Sequence, residues 1–154
     1  ARGSGRGVAG YGIIKAVRNQ QIVMAARPVG LPKDSDFSLV EKDVATPGDG
    51  EVLLETVYLS VDPYMRGRMS EAKSYATPMQ VGDVMVGGTV GRVVESKSDR
   101  FAPGDCVEAY SGWQRYAVAP AKGFRVFGRP WNDQAVGGLS YVYFRCRGRA
   151  DWIS

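Results

Sequence analysis

Twenty glycines and eight prolines punctuate the 154 residues so often that long helices have little room. Glycine in a helix interior costs about 0.5–1 kcal/mol relative to alanine, and proline about 3 kcal/mol. Apolar side chains must therefore be buried in short elements joined by turns. Residues 21–26 form a short apolar stretch ended by Pro28, and Phe37, Leu39 and Val40 predict a strand over 37–44. Pro47-Gly48-Asp49-Gly50 closes that strand with a turn. Residues 51–61, rich in Val, Leu, Thr and Tyr with apolar residues on both faces, predict a buried strand. Residues 68–77 leave space for one or two helical turns before Pro78. Further strands are predicted over 84–95, 106–110, 113–118 and 124–127, with the tight turn Phe101-Ala102-Pro103-Gly104-Asp105 among them. No internal repeat is visible. The expected class is mainly β, an all-β barrel or sandwich with few short helices.

The length suffices for one substantial core, since a chain of about 150 residues buries roughly 70% of its unfolded surface. A net charge of +4 raises the question of nucleic acid, but its distribution argues against it. Residues 1–20 carry four basic side chains and no acid, and residues 121–154 carry six basic and two acidic ones. The stretch between them holds ten basic and fourteen acidic residues. The leader, residues 1–19, has Tyr11 as its only aromatic and reads as a flexible arm or flanking sequence. The tail's Arg145-Cys146-Arg147-Gly148-Arg149 run offers charge for phosphates, but its spacing follows neither helix nor strand and reads as a solvated end. No nucleic-acid partner is expected.

Histidine is absent, which excludes a Ser-His-Asp triad, a Cys-His pair or a His-ligated metal built from this chain alone. Cys106 and Cys146 form no zinc cluster and no secreted-type disulfide framework, so reduced cysteines and a cytoplasmic location are expected. The longest apolar candidate, residues 135–144, is interrupted by Gly137 and Gly138 and falls short of the roughly 20 residues that cross a bilayer. Neither a membrane span nor a signal peptide is expected.

Three segments carry candidate chemistry. Val86-Gly87-Gly88-Thr89-Val90-Gly91 suggests a phosphate-binding turn, but it lacks the G-x-G-x-x-G spacing and Arg92-Val93-Val94-Glu95 continues it as strand. Its glycines are expected to permit bulges or close backbone approach. Tyr58-Leu59-Ser60-Val61-Asp62-Pro63-Tyr64-Met65-Arg66-Gly67-Arg68 ends a buried strand in a Pro-fixed turn. There Asp62 can cap the turn, and Tyr64 can present a hydroxyl at a pocket mouth, donating to a developing enolate oxygen. Elementary physics leaves both readings open, with Arg66 and Arg68 as surface residues by default. In Gly112-Trp113-Gln114-Arg115-Tyr116 the aromatics can wall a pocket or pack in the core, and core is the favoured reading.

Taken in order, Gln21-Ile22-Val23-Met24-Ala25-Ala26-Arg27-Pro28, the Tyr58–Arg66 string, Val86–Gly91, Gly104-Asp105 and Gly112-Trp113 closely resemble the N-terminal domain of zinc-independent medium-chain dehydrogenases/reductases. The nearest branch is similar to the leukotriene B4 12-hydroxydehydrogenase and prostaglandin reductase group with its bacterial curcumin reductases. The resemblance covers about residues 20–120 and implies a GroES-like β-barrel, normally followed by a Rossmann domain that binds NADPH. It implies reduction of the carbon–carbon double bond of small α,β-unsaturated ketones and aldehydes by hydride transfer to the β-carbon. Zinc-dependent cousins place a Cys ligand near the position of Ser60 to Asp62; no Cys or His stands there, so no metal is expected. By the resemblance Tyr64 is the catalytic candidate facing substrate and nicotinamide, with Asp62, Met65, Arg66 and Trp113 as pocket candidates.

The expected organisation is a leader over 1–19, a GroES-like domain over 20–127, and a tail over 128–154 that departs from the family. The family's nucleotide-binding half has no counterpart here. The resemblance thus implies a truncated catalytic domain, inactive alone and without tight NADPH binding. The alternative is an orphan barrel serving as a partner-binding module or self-associating as a homodimer.

Overall fold

The computed structural model describes residues 17–72, 76–128 and 143–145. Strands β1 (Arg18–Met24) and β2 (Phe37–Asp43) form an antiparallel pair, from Arg18 opposite Asp43 to Met24 opposite Phe37. A six-stranded sheet follows, built from β3 (Glu51–Ser60), β4 (Thr89–Ser96), β5 (Cys106–Ala109), β6 (Tyr116–Pro120), β7 (Arg125–Gly128) and β8 (Tyr143–Arg145). Its order is β6-β3-β4-β5-β7, with β8 pairing against the last three residues of β3. Pro63 begins the single described α-helix, α1 (Tyr64–Arg68). This is the mainly-β, GroES-like class expected from the glycine and proline punctuation.

Strand β1 joins the two sheets through its second edge. The Ile22 N–H donates to the Trp113 carbonyl at 2.9 Å, and the Ile22 carbonyl accepts from the Met85 N–H at 2.9 Å. Asn19 extends the same seam with its side chain. Its Oδ1 accepts the Tyr116 N–H at 2.9 Å and its Nδ2 donates to the Tyr116 carbonyl at 2.9 Å, imitating a strand partner. Arg18 and Asn19 are thus part of β1, inside the segment expected as leader, while residues 1–16 lie outside the described residues. Within the segment expected as a solvated tail, residues 143–145 pair with β3, because the edge of β3 beyond β6 still offers backbone donors and acceptors. The rest of the tail, Cys146 included, lies outside the described residues.

Strand β3 is central and buried on both faces, as its sequence predicts. Val52 and Leu54 enter a core with Val93, Phe101, Val107, Ala109, Ala121 and Phe124, while Leu53, on the opposite face, is also buried. Its pairing with β4 slips at two places; Thr56 opposes Gly91 while Tyr58 opposes Val90, leaving Val57 as an extra residue. Glycine at 91 eases this approach, since a Cβ would stand 3.0 Å from the Glu55 carbonyl oxygen and crowd it. Strand β4 thus begins at Thr89 rather than at 84, with Val86–Gly88 leading into it outside the strand, and Gly91 serves close approach.

A second core gathers all five methionines of the chain, Met24, Met65, Met69, Met79 and Met85, against Ile22, Phe37, Tyr64, Val86 and Trp113. Among the described residues the α-helix falls on 64–68, ahead of the 68–77 segment in which one or two turns are expected. Pro63, with φ of −57°, already has helical geometry, so the helix starts at once and ends at the Met69 cap. Among the described residues no helix is long and apolar enough to cross a membrane.

Candidate functional site

Antiparallel pairing brings the end of β3, the start of β4 and the end of β5 to one rim. There Ser60, Asp62, Tyr64, Gly88, Glu108, Ala109, Tyr110, Gly123 and Arg125 line a cleft of about 270 Å³. Ser60 closes its inner wall. The Ser60 N–H donates to the Gly88 carbonyl at 2.9 Å, its hydroxyl oxygen accepts the Gly88 N–H at 3.0 Å, and its carbonyl accepts the Trp113 indole N–H at 3.1 Å.

Tyr64 is the first residue of α1, aimed by the turn that Asp62 and Pro63 build. The Asp62 backbone carbonyl accepts the Met65 N–H at 3.1 Å, and no side-chain bond caps the helix. Capping by Asp62 is therefore done by its backbone, and Asp62 is one of the cleft-lining residues. The Tyr64 hydroxyl lies 2.6 Å from the Tyr110 hydroxyl, with the rings stacked at 6.4 Å between centroids and 28° between planes. Burial above all, helped by the charge of Asp62, pushes the Tyr64 phenol well above its ordinary range, against a weaker pull from Arg68. The phenol therefore stays protonated, a neutral donor beside the two carboxylates of the cleft, Asp62 and Glu108. Arg125 stands 3.8 Å from Glu108 at the rim.

Of the five residues singled out in the sequence, Tyr64 and Asp62 share the cleft, and three lie elsewhere. Met65 is buried in the methionine core, with its sulfur accepting the Asp62 N–H at 3.5 Å. Arg66 donates to the Gly30 carbonyl at 2.9 Å and to the Pro28 carbonyl at 3.3 Å, and Arg68 to the Thr77 carbonyl at 3.0 Å. Both arginines therefore fasten loops rather than simply covering surface. Trp113 stacks on Phe37 at 6.3 Å against the methionines and reaches the cleft wall only through Ser60. Tyr116 is buried, and its hydroxyl donates to Glu55 at 3.3 Å.

Tyr110, Glu108 and Arg125 lie outside every motif, and Ser60, although inside the Tyr58–Arg68 string, is not singled out as a site residue. A polar or aromatic residue at the end of a strand that shares a rim with the end of β3 would have revealed Tyr110, but that rim is known only once strand order is known. Among the described residues no three Cys, Asp or Glu side chains converge as a metal site.

The family of N-terminal domains of oxidoreductases matches residues 20–127. The NADPH-dependent curcumin reductase of Escherichia coli K12 is 59% identical over 102 residues, covering 66% of this chain and 30% of that protein. Prostaglandin reductase 1 of Rattus norvegicus is 40% identical over 105 residues, covering 68% of this chain and 30% of that protein. The crystal structure of CurA from Vibrio vulnificus in complex with NADPH is 51% identical with a TM-score of 0.68, covering 71% of this chain and 32% of that one. The chain thus spans about a third of the length of the relatives it matches.

Proposed function

Because this chain belongs to the family of oxidoreductase N-terminal domains, within the medium-chain dehydrogenase/reductase group of the curcumin and prostaglandin reductases, we propose that it forms the substrate-facing part of an NADPH-dependent reductase acting on the carbon–carbon double bond of α,β-unsaturated ketones or aldehydes. The observation that carries this reading is Tyr64: a phenol kept protonated, in a cleft, 2.6 Å from a second phenol. A hydrogen bond from such a donor polarises an enone carbonyl and then holds the enolate oxygen formed when hydride adds to the β-carbon. Protonation at the α-carbon completes the saturated product.

The cleft fits one end of the cofactor and not the whole of it. Its volume of about 270 Å³ admits a ring and a short carbonyl compound. Its small wall residues, Ser60, Gly88 and Ala109, permit a flat ring to approach. NADPH bound there would supply the hydride. The residues of this chain orient the carbonyl and exclude water, with Asp62 and Glu108 disfavouring a bare anion and Tyr64 answering its charge.

Nuclear magnetic resonance titration of the chain with a short-chain α,β-unsaturated ketone tests the proposal. Shifts confined to Ser60, Tyr64, Gly88 and Tyr110 are expected, with affinity falling several-fold in Tyr64→Phe, about the loss of one hydrogen bond to a carbonyl. Shifts elsewhere, or none, would count against the cleft as the carbonyl site.

A second reading, a partner-binding or self-associating module, draws on Val61, Tyr110 and Val126, which are exposed on or next to cleft residues. A mass above the monomer by size exclusion, together with no response to NADPH, would favour it.

A further inference from the structure

We propose that Tyr110 is a positioning residue for this reaction: it donates its phenol proton to the Tyr64 oxygen, so that the Tyr64 hydroxyl is left to donate to the substrate oxygen and the two phenols act as one oxyanion site. The inference rests on the carbonyl-binding reading of the cleft and extends it to a residue outside every motif.

Each phenol has one proton to give. At 2.6 Å one hydroxyl donates to the other, and only the accepting phenol keeps its proton for a third atom. Tyr110 is 58% exposed, so water reaches its outer side, whereas Tyr64 is half-buried and faces the cleft. With Tyr110 donating, the Tyr64 proton is directed into the cleft and its donor strength rises, because hydrogen bonds in a chain polarise one another. Charge developing on a substrate oxygen is then shared by both phenols, which matters in a cleft already lined by Asp62 and Glu108.

An exposed aromatic residue is ordinarily free to swing, and Tyr110 is not. The Thr89 hydroxyl bonds to the residues on either side of it, donating to the Ala109 carbonyl at 3.3 Å and sharing a 2.6 Å bond with the Ser111 hydroxyl. One residue further on, the Gly112 N–H donates to the Gly87 carbonyl at 3.2 Å. The ring itself is stacked on Tyr64. Such fastening of a surface tyrosine is explained by a task for its hydroxyl.

The test compares two probes on the 154-residue chain, 4-nitrophenolate as a stable oxyanion and 4-nitrotoluene as its neutral isostere, with affinities from resonance titration above the phenol's own pKa. Tyr110→Phe keeps the ring and removes the proton. It is expected to weaken 4-nitrophenolate about fivefold while 4-nitrotoluene changes less than twofold; Tyr64→Phe weakens the anion further, about tenfold or more. Equal weakening of both probes would reduce Tyr110 to packing, and unchanged anion binding would remove it from the site. Those outcomes overturn this inference alone. Failure of the unaltered chain to bind either probe in the cleft would overturn the carbonyl-binding reading as well.

Discussion

Tyr116 has a phenol in the opposite situation from a surface tyrosine. Burial first, then the Glu55 carboxylate, push it above its ordinary value of 10.0, with Arg115 pulling the other way. Its hydroxyl donates to Glu55, which also receives Arg92 at 3.1 Å and Arg115 at 3.5 Å. Tyr64 is pushed the same way, above all by its own burial. For both, the folded chain holds the proton more tightly than the unfolded chain. Their contribution to stability is therefore complete below the unfolded phenol pKa of about 10 and is lost as pH rises through the higher folded value. Urea unfolding at rising pH should show stability falling from about pH 10 upward, with a shallower fall in Tyr116→Phe. An identical fall in that variant would show that its phenol is not linked to folding.

Strand β3 and helix α1 divide the work of building the site. The strand anchors it, since Leu54 is 1% exposed in the sheet-centred core and Ser60 closes the cleft at the strand's far end. Leu54→Ala should destabilise the chain by about 2–5 kcal/mol, the usual cost of emptying a leucine site that cannot collapse. Chemical denaturation would measure it, and a loss under about 1 kcal/mol would mean that the sheet closes over the gap. The strand was legible locally, because β-branched and aromatic residues bounded by Gly50 and Pro63 encode it within its own span. The helix was misplaced because five residues carry too little periodicity to be seen, and the proline that starts it resembles a plain turn.

At the scale of the molecule, two cores meet at the rim that carries the site. Met65 anchors one end of α1 in the methionine core, while Ala109 ends β5 in the sheet-centred core, and Tyr64 and Tyr110 stand beside these two residues. Methionines from positions 24 to 85 converge because flexible thioethers fill an irregular gap between β1, α1 and the 79–85 segment. Residues 20–127 are the part shared with the reductases, about a third of their length. The chain alone, given NADPH and an α,β-unsaturated ketone, is expected to leave the cofactor's absorbance unchanged; turnover would show that the residues present suffice for the reaction.

The sequence by itself determined the mainly-β class, the central strand β3 and the turn at Pro63 that follows it, and that Gly91 allows close backbone approach. These follow from interactions within a few residues: steric limits at proline and glycine, and side chains alternating along a strand. Tertiary structure alone decided that Tyr110 meets Tyr64 across 46 positions, that Asn19 completes a strand seam with Tyr116, and that Met65, Arg66 and Trp113 lie outside the cleft. Those outcomes depend on which strand ends share a rim and on which neighbour satisfies each polar group. Strand order and packing settle both, and neither is encoded in any short stretch of chain.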